Sequence, residues 1–147
     1  MIVRAPSDIE QDVLSQLQLL LGTATDKPGI DKIKEAINHL IKSLGAKDGE
    51  KVFNEEKDAV AKLMELIKKY PTLTSDLRSL IDRLIGASYV LASIAIQDAT
   101  NTGGDSKEID KANDEMLKTQ GEIAKGYYDN AIEHYRNAWE HAQHAMK

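Results

Sequence analysis

The sequence predicts an all-α fold: a single up-down bundle of five to six helices, built from three αα-hairpins around a central helix at about 74–99. Three observations lead there. Apolar residues recur at helical spacing along almost the whole chain, and Gly, Pro and Asx punctuation cuts it into six segments. Nowhere does strict alternation last four residues without a better helical fit, so no strand competes. With 147 residues, 41% of them hydrophobic and 29% charged, the chain suits one domain, 1–147, large enough to bury most of its apolar surface. A piece cut from a longer protein would read the same way.

The first helix opens at Ser7, whose spacing to Glu10 reads as a capping box, and Ile9, Val13, Leu17, Leu20 and Leu21 give its apolar face up to Gly22. After the loop TATDKPG, a second helix from about Ile30 to Leu44 buries Ile33, Ile37, Leu40, Ile41 and Leu44, and Gly45 ends it. Asp48 or Asn54 starts the third, which carries Val60, Leu63, Met64 and Ile67 until Tyr70-Pro71, because proline disfavours helix in the residue before it. The fourth is amphipathic through Leu77, Leu80, Ile81 and Leu84, then apolar all round in LIGASYVLASIAIQ. A helix coated on every side must be enclosed, which puts it at the centre. The fifth, capped by Asp105 with Glu108, has only the narrow stripe Ile109, Ala112, Met116 and Ile123, and Gly126 breaks it. The sixth, Asp129 to about Met146, turns Ala131, Ile132, Tyr135, Ala138, Trp139, Ala142 and Met146 inward.

Composition removes several classes of chemistry. A net charge of −5 with no long Lys/Arg run argues against nucleic acid and anionic membranes as partners. Zero cysteines exclude disulfides, thiolate catalysis and Cys-ligated zinc or iron–sulfur centres. The opening MIVRAPSDIE has no signal-peptide h-region, and the longest uncharged run, Leu84 to Gln97, is shorter than a bilayer span of about 20 residues, so no membrane insertion is expected.

The residues closest to carrying chemistry are the histidines. His134 and His141 share one flank of the last helix, with His144 further toward solvent; His39 lies on the second helix. His141 and His144 at i, i+3, or Glu140 and His144 at i, i+4, could hold a metal, but such a site needs three or four converging ligands, and only a partner helix could supply the rest. The expected reading is therefore no metal and no cofactor, with His39, His134, His141 and His144 as the candidates should one bind. Glu-x-x-His is absent, which argues against a di-iron bundle. Asp98, Asn101, Asp105 and Glu108 surround Gly103-Gly104, yet Thr100, Thr102 and Ile109 stand where an EF-hand needs oxygen ligands. No serine sits in a G-x-S-x-G elbow, and no Gly-rich loop carries a phosphate-binding lysine, so no catalytic residue is expected.

Two resemblances add context. GYYDNAIEHYRNAWE is similar to the second half of a tetratricopeptide repeat, with Gly126, Tyr128, Ala131, Tyr135 and Ala138 at its spacing. VFNEEKDAVAKLMELIKK, LIGASYVLASIAIQDA and GGDSKEIDKANDEMLKTQGEIAKGYYDNAIEHYRNAWEHAQHAM, in that order, resemble a helical module near the C-termini of large secreted or cell-surface prokaryotic proteins, archaeal ones included. That second resemblance covers about two-thirds of the chain. It implies an extracellular or cell-surface location, with the cytoplasm as the alternative, and carries no catalytic residues to transfer. The expectation is a non-enzymatic spacer or docking domain that meets a protein partner or neighbouring domains of its own chain. The rivals are a bundle binding metal or a small cofactor near His39, His134 and His141, and a tetratricopeptide-like peptide scaffold.

Overall fold

The computed structural model describes residues 6–24 and 26–147; the opening MIVRA and Thr25 of the TATDKPG loop lie outside the described residues. Six α-helices follow one another, with no strand among the described residues: α1 (Pro6–Thr23), α2 (Lys27–Leu44), α3 (Gly49–Lys69), α4 (Thr74–Asn101), α5 (Ser106–Lys125) and α6 (Tyr128–Ala145). A single 3-10 turn, Pro71–Leu73, joins α3 to α4. Local chemistry accounts for the boundaries. The Asp48 side chain caps α3 by accepting from the Glu50 N–H at 3.1 Å, and Asp105 caps α5 through the Lys107 N–H at 3.0 Å. α2 starts at Lys27, earlier than its apolar pattern, because Pro28 is tolerated in a first turn, where its missing N–H has no partner to lose. Gly126 closes α5 with φ at +81°, a left-handed cap that favours glycine.

Helices α1 to α4 form a closed ring in which each packs on its two neighbours. α6 lies along both α3 and α4, and α5 packs chiefly on α6. α4 therefore touches every helix except α2, and the central position read from its composition holds. Leu17, Leu40, Leu63, Leu77, Ile81 and Ile132 are among the fully buried side chains at these junctions. By length and composition alone α4 is apolar enough to cross a bilayer; Leu77, Ile81, Leu84 and Ala92 on it are buried against the other helices.

Several details differ from the pattern-based expectation. The second half of α4 is not enclosed: Tyr89 is 51% exposed and Ile94 48%. The buried side chains there are the small ones, Ala87, Ser88, Ala92, Ala95 and Ala99; Ala95 and Ala99 pack on Ala142 and Ala145 of α6, where short side chains let the two helices come close. On α2, Ile41 is exposed and Ser43 is buried in its place; on α6, Met146 lies beyond the helix end and is exposed. Glu10 makes no capping box, since its carboxylate turns into the core and meets Ser43. Likewise Glu108 does not return to the N-terminus of α5 but reaches across to α6.

Candidate functional site

Three of the four histidines lie on seams between adjacent helices, each against a glutamate. His39 Nδ1 on α2 is 2.6 Å from Glu55 Oε2 on α3; His134 Nδ1 on α6 is 2.6 Å from Glu115 Oε2 on α5; His141 Nδ1 is 2.8 Å from Glu108 Oε2, also across α5–α6. An ionised carboxylate only accepts, so Nδ1 carries the hydrogen in each pair. His39 thus belongs to a different seam from His134 and His141, and the structure does not gather these three into one site. The His141 hydrogen bond, foremost, with help from Lys111, holds the Glu108 carboxyl below its ordinary range. At Glu115, burial acts to raise the carboxyl, but the His134 bond and Lys118 together outweigh it, and it too lies below the usual value.

Convergence occurs at two places among the described residues. Glu108, His141 and His144 each offer a ligand atom, and these atoms lie within 4.8 Å of one another; His39, Glu55 and Asp58 do the same. The missing ligand of the His141–His144 pair therefore comes from α5. Across this junction the Asp105 N–H donates to the Ala145 carbonyl at 3.0 Å. Gly104 sits so close that an added Cβ would lie 2.7 Å from the same oxygen. Asp105 is committed to its cap and Glu108 to His141, so the glycine turn does not assemble the oxygen cage that a calcium loop would need.

Pattern reading missed a second constellation inside the α1–α4 ring. Glu10 and Glu56 are 2% and 0% exposed, and Ser43 and Ser88 are buried beside them. The Ser43 hydroxyl donates to Glu10, and the Ser88 hydroxyl donates to Glu56 Oε1 at 2.9 Å, while Glu56 Oε2 has no hydrogen-bond partner among the described residues. Each of the four helices contributes one residue to this polar layer. Burial raises the Glu10 carboxyl to about 7 against the pull of the Ser43 bond; burial, then the charge of Glu10, pushes Glu56 well above its ordinary range. The signal was present in the sequence: Glu10, Val13 and Leu17, like Glu56, Val60 and Leu63, keep the spacing of a buried stripe.

Surface concavities are shallow and carry little convergent chemistry. One of about 380 Å³ runs between α4 and α5 over Tyr89, Ile96, Met116, Leu117 and Tyr135, with the Tyr89 and Tyr135 rings edge-on at 6.0 Å. Another, of about 280 Å³, lies near Leu20, Gly29, Leu66 and Tyr70. No protein-family model, curated protein or solved structure matches the chain.

Proposed function

We propose that this chain is a non-enzymatic helical module, a spacer or docking domain of a secreted or cell-surface protein, and that its work is done by surface rather than by a reactive pocket. The observation that carries this reading is the shallow groove between α4 and α5, where apolar side chains share the lining with Ser93, Gln97, Asn113 and Gln120. Tyr89 and Leu117 stand 51% and 65% exposed at its edges, over the half-buried Ile96 and Met116. Apolar side chains grouped in a groove gain by being covered, at about 25 cal/mol per Å² removed from water. Other polar contacts join helices: His39 and His134 face glutamates across helix seams, and Lys57–Glu133 at 2.9 Å with Arg136–Asn54 at 2.9 Å ties α6 to α3. The likeness of two-thirds of the sequence to surface-protein modules supports the location.

A photoreactive residue at position 117, with exposed position 47 as control, tests the proposal in the native host. A discrete adduct with one partner or neighbouring domain, formed from 117 and abolished by Tyr89→Glu, is expected. Equal labelling from both positions, or none from 117, refutes it.

A further inference from the structure

We propose that the α5–α6 hairpin carries a binding site for a first-row transition-metal dication, held by Glu108, His141 and His144. Glu108 comes from the first turn of α5, and the two histidines are spaced i, i+3 on the last turns of α6. Their donor atoms already lie within 4.8 Å of one another, while ligand atoms around a tetrahedral zinc at about 2.0–2.2 Å must approach to roughly 3.3–3.5 Å. Two side-chain movements are required of the site: exposed His144 turns inward, and the Glu108–His141 contact, now a hydrogen bond at 2.8 Å, opens slightly as the ion displaces the hydrogen between them.

The placement does not depend on the ligands themselves. Gly104 packs against the Ala145 backbone, and the Asp105 N–H bonds its carbonyl, so the start of α5 is fixed on the end of α6 before any ion arrives. Two imidazoles and one carboxylate form the mixed nitrogen–oxygen set that suits zinc and its neighbours, and they do not suit calcium or magnesium, which take oxygen ligands. Water would complete the shell on the solvent side. Lys111, 3.3 Å from Glu108 Oε1, has a side chain 59% exposed and is free to swing away.

The other histidines lack these properties. His39 meets only carboxylates, Glu55 and Asp58, and so offers one imidazole. His134 faces Glu115 with Nδ1 at 2.6 Å and Glu122 with Nε2 at 3.9 Å; opposite ring nitrogens cannot bind the same ion. An ion at the Glu108 site would clip α5 to α6, the helix that packs on α3 and α4.

The test is zinc chloride titrated into the chelator-treated full chain near neutral pH, followed by calorimetry and by thermal melting. One ion per chain is expected, with a melting midpoint raised by a few degrees. His144→Ala, on an exposed side chain, and His141→Ala should each weaken binding by about tenfold or more, with Glu108→Gln also weaker. His39→Ala and His134→Ala should leave it unchanged. Absence of binding, or binding that survives His144→Ala and His141→Ala within threefold, or binding lost on His39→Ala instead, overturns the proposal.

Discussion

Neutralising Glu10 by the change Glu10→Gln should make the protein more stable at alkaline pH, although it alters a core hydrogen bond. Folding moves this carboxyl from its ordinary 4.5 to about 7, because burial disfavours the charge more than Ser43 restores it. At about 1.4 kcal/mol per pH unit, the displacement corresponds to about 3 kcal/mol. The sign follows from proton counting. Between about pH 4.5 and 7 the folded state holds a proton on Glu10 that the unfolded state has released, so stability falls as pH rises through this window, and the Glu10 contribution levels off above 7. Glu56 moves in the same direction and adds to the slope. The substituted glutamine cannot ionise, but its carbonyl can still accept from Ser43, leaving only the cost of seating an amide in place of a carboxyl, about 1 kcal/mol. Urea unfolding followed by circular dichroism from pH 5 to 8 should therefore show the native protein losing about 3 kcal/mol or more, and the variant losing clearly less. At pH 8 the variant should be the more stable of the two by about 2 kcal/mol. Parallel profiles for the two proteins would refute the reasoning.

The carboxyls at the seams have the opposite sign. Glu65, Glu108, Glu115 and Glu133 lie below their ordinary value when folded, so the stability they confer is present above about pH 4.5 and is lost as pH falls through their folded values; combined with the buried pair, this puts maximum stability near pH 5, measurable by melting across pH 3 to 8. A double-mutant cycle of His134→Ala and Glu115→Gln, read by urea unfolding near neutral pH, should give a coupling of about 0.5–1 kcal/mol, as for a partly buried pair. Gly104→Ala should cost about 1–3 kcal/mol and loosen the α5–α6 end, because its Cβ would meet backbone at Ala145 that cannot swing aside; amide exchange in residues 103–108 and 141–146 reports it. Leu63→Ala, at a fully buried position on α3, should lose about 2–5 kcal/mol in the same unfolding assay.

The helices, their order and the central place of α4 were legible in the sequence, because each depends on local periodicity, caps and breakers that act within a few residues. Asp48, Tyr70-Pro71, Asp105 and Gly126 do at their ends what their chemistry implies. Side-chain destinations were less legible. Tyr89 and Ile94 read as enclosed but stand outside, since what excludes them is the closeness of α6 to an alanine face. Glu10 read as part of a cap and Glu56 was not singled out, although both keep the register of the buried stripe.

What the sequence alone determined is the set of amphipathic helices and the absence of thiol chemistry, both properties of neighbouring residues and of residue type. Tertiary structure alone decided which glutamate met which histidine, across separations of 16 to 33 residues. It also placed Glu108 beside His141 and His144, and enclosed one polar side chain from each of four helices in a single layer. The physical reason is that a helix face sets direction only about its own axis. The partner that a side chain reaches depends on the axial position and rotation of the neighbouring helix, and the packing of the whole core sets both.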